Sequence, residues 1–241
     1  MREYRTISVN ITVAFLFALN RAEYPPSPNR IHQDQPRSSD ANLRGARRDK
    51  SFVVQSFFFM PIDRYAPEVP FPAYAFVPGR HPHPVTNPSG HSYGHSHAVP
   101  YPLDPARPGD SIEFLSAVDL FNAGFYWEAH EEWEGLWIAA GRRGELADFL
   151  KSLIKLAAAG VKAREGQITG VERHARRASD LLRSMIADRS QPGSNYCGLN
   201  LDELALAAQS LAEQPIVDDT PSTMGRVVIP VRLILSDLDR A

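Results

Sequence analysis

The sequence predicts an all-α protein: an antiparallel helical bundle of about five helices, built from two helical hairpins and preceded by an extended Pro-rich N-terminal arm. Three observations lead there. From Ser111 to Ala212 apolar residues recur every three to four positions, the period of a helix with one buried face. Glycines at 124, 141, 144 and 166 fall between those periodic runs, where a left-handed residue ends a helix. Twelve of the twenty prolines lie between Met60 and Asp110, where no helix can run for long.

A chain of 241 residues allows one large domain, or one domain with long extensions, and 43% hydrophobic residues suffice for a core. A net charge of -2 and a pI near 6.4 argue against a nucleic-acid partner. The single cysteine, Cys197, excludes an intramolecular disulfide and points to a reducing, cytoplasmic compartment. No apolar run reaches the ~18 residues that cross a bilayer, so no membrane partner is expected.

Met1 to Phe59 reads as a disordered or spurious N-terminal extension. Ile7 to Leu19 follows Arg2 and Arg5 like a signal-peptide core, but Asn10 and Thr12 interrupt it and no small-x-small cleavage site follows. Glu23 to Lys50 is too polar to bury a core. A natural start at Met60 would account for the break in composition.

Residues 60–110 form the Pro/aromatic/His arm. Tyr65, Phe71, Tyr74, Phe76 and Tyr93 are many rings for a linker, so the arm is expected to lie on the helices. Five of the eight histidines sit there. Alternate residues of an extended chain face one side, so His81 with His83, and His95 with His97, can each share a metal ion. An exposed polar loop is the plainer alternative.

The helical domain is expected over 111–215, followed by an extended tail over 216–241. Asp110 or Ser111 caps the first helix, which ends near Asn122. The second runs from about Tyr126 to Ala140, with Ala129, Trp133 and Trp137 (or Leu136) on its apolar side. The third runs from Glu145 to Glu165 and carries Lys151, Lys155 and Lys162 as one cationic stripe. The fourth, capped by Thr169, reaches Asp188 after a turn at Gly166. Gln191 to Asn195 reads as a loop and Leu199 to Ala212 as the fifth helix. Gly124 and Gly166, Tyr126 and Ile168, and Ala129 and Val171 play matching parts, a loose two-copy repeat. Val227 to Leu235, split by Pro230, reads as an extended segment docked on the bundle.

The stretch Leu120 to Trp137 concentrates the chemistry, with six aromatics, four glutamates and one histidine in eighteen positions. On the second helix Glu128 and Glu132 lie away from the apolar stripe and are expected to be solvated. His130 borders the stripe, Glu134 follows one turn on, and Glu131 lies beside them. A half-buried His with two carboxylates within a turn is either a metal-ligand and acid/base group or a hydrogen-bonded His at a helix seam, its glutamates paired to lysines. The spacing is neither HExxH nor the Glu-x-x-His of di-iron bundles.

The segments FNAGFYWEAHEEWEGLW, FLKSLIKLAAAGVKAREGQ and TGVERHARRA resemble the bacterial and archaeal family called domain of unknown function 309, over roughly Ser111 to Leu182. The arm RYAPEVPFPAYAFVPGRHPHP looks like that of its longer members. The resemblance implies an all-helical fold and a metal-dependent hydrolase. Glu128, His130, Glu131 and Glu134 stand where that family has its EAHExxE signature. The third helix departs from it. Where shorter members have FLQGLIQ and, seven residues later, a His, this chain has Lys151, Lys155 and Lys162, and an ammonium cannot ligate a metal while protonated.

Two functions follow. The first is a hydrolase with its site between the second and third helices. His130 and Glu131 would activate water, and His130, Glu131 and Glu134 would hold a divalent metal ion. Glu128, Glu134, Trp127, Trp137, Lys151, Lys155 and Lys162 would line the site and bind substrate. The second is a non-catalytic helical interaction module, or homo-oligomeric scaffold, binding a small molecule, a peptide or a second copy of the chain. In either case Glu131 or Glu134 is expected to meet a lysine of the third helix.

Overall fold

The bundle begins at Ser111, whose hydroxyl accepts the Phe114 amide at 3.2 Å and caps α1 (Ile112–Asn122). Four further helices follow: α2 (Tyr126–Ala139), α3 (Glu145–Arg164), α4 (Ile168–Asp188) and α5 (Leu201–Glu213). In this computed structural model residues 63–95, 100–188 and 195–236 are described, all within the compact unit Met60–Ala241. The expectations for residues 1–59 and for His97 fall outside them.

The glycines end the helices as their spacing predicts. Gly124 has φ +81°, and the Phe125 amide reaches back to the Leu120 carbonyl at 2.8 Å, closing α1. A Cβ at Gly124 would also meet the Arg226 backbone at 2.3 Å, so both conformation and space require glycine. Gly166, φ +76°, ends α3 in the same way, with the Gln167 amide bonded to the Lys162 carbonyl at 2.9 Å.

Two boundaries differ. Thr169 does not cap α4, which already starts at Ile168 and places Thr169 inside its first turn. Leu199 does not start the last helix. Asn195–Tyr196 and Leu199–Asn200 pair as a short antiparallel ribbon, so Asn195 is also in a strand rather than a loop. Its two turn residues, Cys197 and Gly198, both have positive φ, which matches the twist of a tight hairpin. Asn200 then caps α5, its Oδ1 accepting the Glu203 amide at 3.1 Å.

Each helix packs on the next: α1 on α2, α2 on α3, α3 on α4 and α4 on α5. Phe114, Phe121, Trp133, Phe149, Leu153, Leu182 and Leu211 are buried between them. Tyr126 lies flat on α3 at Gly160, where a Cβ would stand 2.4 Å from its ring. The Ser179 hydroxyl donates to the Ala205 carbonyl at 3.0 Å and ties α4 to α5.

Two extended segments wrap this bundle. In the tail Ile229, Val231, Leu233 and Leu235 are buried, alternating with outward residues that include the exposed Pro230. The Tyr126 hydroxyl accepts the Val228 amide at 3.0 Å, and the Tyr65 hydroxyl accepts the Leu235 amide at 2.9 Å. On the other segment, buried Asp119 of α1 accepts the amides of Tyr65 and Ala66, both at 2.9 Å, and Arg64 Nε at 3.3 Å. Phe71 stacks on Phe125 with ring centres 5.0 Å apart. Phe76 is buried, Tyr65, Phe71 and Tyr74 are half-buried, and Tyr93 is exposed.

Candidate functional site

The polar residues of α2 divide differently from their helical-wheel positions. Glu128 is not solvated but 5% exposed. Residues 63–95 cover that face: Glu128 Oε1 accepts the Phe76 amide at 2.8 Å and lies 3.2 Å from His91 Nε2. Glu132 is half-buried rather than fully solvated. Burial, with Glu113 and Glu131 adding like charge, raises its carboxyl to about 7.

His130, 5% exposed, sits in the seam as its border position predicts. Its Nδ1 lies 3.4 Å from Glu131 Oε1, too poorly aligned to bond, and among the described residues neither atom has a hydrogen-bond partner. Glu134 joins them: one ligand atom each from His130, Glu131 and Glu134 all lie within 4.8 Å of one another. Burial raises the Glu134 carboxyl; His130 and Arg142 oppose this and Glu131 adds to it. The sequence reading had not singled out His174 of α4. Burial holds His174 at about 3, with the charges of Lys155, Arg173, Lys162 and His130 pushing the same way. It is therefore a neutral imidazole facing the seam at neutral pH. Its position one turn after buried Val171 and beside buried Ala175 was the available signal.

One lysine of the stripe is used otherwise than expected. Lys162 bonds Glu165 Oε2 at 2.8 Å within α3, rather than Glu131 or Glu134. Lys155 is buried and acts on His174, while Lys151 is half-buried at the far end. Glu131 faces His130, and the charges acting on Glu134 are His130, Glu131 and Arg142.

The tryptophans stand at opposite ends. Trp127 packs against the rings of Phe76 at 5.1 Å and His83 at 5.5 Å. Trp137 lies under the Arg142 guanidinium, 5.7 Å from its ring centre.

His81 and His83 do not share a ligand through their Nδ1 atoms, because each accepts a backbone amide: Val77 to His81 at 3.3 Å, Val85 to His83 at 3.3 Å. They organise turns, and His95 is exposed. Burial lowers His83, and the Glu131 charge opposes it, so this turn borders the seam. A shallow depression lined by Arg183, Ile186, Asp202 and Leu206 shares no residue with the seam.

Residues 114–174 match the family model described as a domain of unknown function (DUF309). That span holds His130, Glu131, Glu134, Lys155 and His174. No curated protein and no solved structure matches the chain. No described helix is long and apolar enough to cross a membrane.

Proposed function

We propose, from the premise that residues 114–174 are a DUF309 domain, that the seam between α2 and α3 is a hydrolytic metal site held by His130, Glu131 and Glu134. One observation carries this: three ligand atoms converge within 4.8 Å, and two of the groups, His130 Nδ1 and Glu131 Oε1, are buried without hydrogen-bond partners. Most buried polar atoms in proteins are hydrogen-bonded, so unpaired ones at a focus of ligand types fit a cation.

Three protein ligands leave room for a water, the pattern of catalytic rather than structural sites. A divalent cation held there would lower the pKa of a coordinated water and polarise an acceptor oxygen. Glu131 is the more open of the contacting pair, with 22% side-chain exposure against 6% for His130, and is the group placed to take a proton. Lys155 supplies positive charge beside His174, suited to an anionic substrate group.

The test is elemental analysis of the purified full chain, with zinc and manganese titrated into chelator-treated protein by calorimetry. About one equivalent per chain is expected, lost in His130→Ala and weakened in Glu134→Gln. Wild-type protein that takes up neither metal would overturn the site. That outcome would leave the alternative, a non-catalytic helical module, which the near-complete burial of His130 favours.

A further inference from the structure

A second group of charges lies on the other side of α3. Arg164 follows Lys162 by two residues, about 200° round the helix. Lys162 packs on α4, where a Cβ at Gly170 would meet its Cγ at 2.8 Å. Arg164 instead turns to the start of α2 and the tail. The Asp218 amide bonds the Ala163 carbonyl at 3.1 Å, laying the 218–226 loop over this end of α3.

Arg164 is 2% exposed, and among the described residues no hydrogen-bond partner reaches its Nε, Nη1 or Nη2. A guanidinium carries five N–H donors and does not give up its charge, and a buried ion without a counter-charge is strongly disfavoured. The carboxylates nearby are already taken. Asp218 Oδ2 accepts Arg226 at 2.9 and 2.6 Å, and Asp219 faces Arg80 at 4.0 Å while its carbonyl accepts Arg80 Nη1 at 2.6 Å. Burial first, and then the like charges of Arg226 and Arg80, push Arg164 below its ordinary pKa, while Asp218 and Tyr126 oppose this without bonding it. Tyr126 adds a donor. Its oxygen accepts the Val228 amide at 3.0 Å and the Ile229 amide at 3.4 Å, so its lone pairs are engaged and its proton is left to give. Burial raises its pKa, so it keeps that proton.

We propose that Arg164 and Tyr126, beneath the Arg80–Asp219 and Arg226–Asp218 pairs, form a binding site for a small oxyanion, a phosphoryl or carboxylate group gripped by the guanidinium fork. Planar bidentate recognition of such groups is what arginine does and lysine does not. The site differs from the α2–α3 seam in charge, in helix face and in ligand. The pairs over it are partly exposed, with 74% for the Asp219 side chain and 43% for Arg226, and such pairs hold a loop only weakly. The loop can therefore lift to admit an anion.

The test uses the full chain with inorganic phosphate, acetate or chloride at matched ionic strength, read by thermal unfolding and calorimetry. Phosphate or acetate should raise the melting temperature saturably where chloride does not. Response to phosphate alone assigns a phosphoryl ligand, and response to acetate alone a carboxylate. Arg164→Met should abolish the response while equalling or exceeding wild-type stability without anion, since it removes a buried charge that no hydrogen bond satisfies. Tyr126→Phe, which keeps the ring on Gly160, should weaken anion binding about tenfold, the loss of one hydrogen bond. His130→Ala should leave the response intact, which separates this site from the metal seam. No saturable response beyond chloride, or an unchanged response in Tyr126→Phe and Arg164→Met, would overturn the proposal.

Discussion

The Asn122 side chain bonds both backbone groups of Leu233: its Nδ2 donates to the carbonyl at 2.8 Å and its Oδ1 accepts the amide at 2.9 Å. A side chain at the end of α1 thus does for one tail residue what a neighbouring strand would do. Asn122→Ala would leave two part-buried backbone groups unmatched and should lower stability by about 1–3 kcal/mol. Asn122→Asp keeps the acceptor only and should fall between. Urea denaturation reads both, and an unchanged midpoint in Asn122→Ala would mean the tail is held by its apolar residues alone.

Glu128 anchors the proline-rich segment in the same way, through the Phe76 amide and His91. Glu128→Ala should cost about 1–3 kcal/mol through the stranded Phe76 amide. It should also open residues 77–95 to protease, while metal uptake at His130 persists. If that stretch stays as resistant as in wild type, Phe71 and Phe76 hold it without the carboxylate.

Gly160→Ala places a methyl 2.4 Å from the Tyr126 ring. Overpacking of this kind typically costs about 1–3 kcal/mol. Because Tyr126 must move, the Val228 and Ile229 amides should exchange faster with deuterium. A stable variant with normal protection there would show that the two helices can part without loss.

Asp218 gives a pH dependence of known sign. Its carboxyl is held at about 2, below the ordinary 3.8, first by the Thr220 hydroxyl and amide and then by Arg226. A pKa lower in the folded chain than in the unfolded one stabilises above the unfolded value and is lost as pH falls through the folded one. Between about pH 4 and pH 2 the 215–228 segment should therefore loosen, seen as rising amide exchange. Asp218→Asn should remove that pH dependence while leaving the loop looser throughout. Identical acid profiles for the two proteins would count against Asp218.

The helices were legible because their signals are local. Ser111, Gly124 and Gly166 act within a turn of themselves, and the stripe Val171, Ala175, Ala178, Leu182 and Met185 needs only a period of 3.6. The His/Glu cluster was legible for the same reason, since His130, Glu131 and Glu134 share one helix turn. What was missed depends on partners far along the chain. Glu128 reads as solvent-facing until Phe76, 52 residues earlier, is known to lie on it. Asp119 is a polar residue on an apolar helix until Tyr65 and Ala66 arrive. Lys162, read as one of three lysines on a common stripe, is bonded to Glu165, three residues on, a pairing within its own helix that the stripe reading did not weigh. Arg164 gave no signal at all, because only the burial of its surroundings makes it unusual.

The Tyr65–Leu235 hydrogen bond joins positions 170 residues apart. The helical hairpins close short loops and can form early and independently, but a contact of that separation must wait for nearly the whole unit, and it pays its loop-closure entropy last. The two outer segments thus belong to one cooperative opening unit, whose local unfolding is cheaper than that of the bundle beneath. A cut or a truncation on either side should release both, so the segment before the helices and the segment after them share a single lifetime in the folded state.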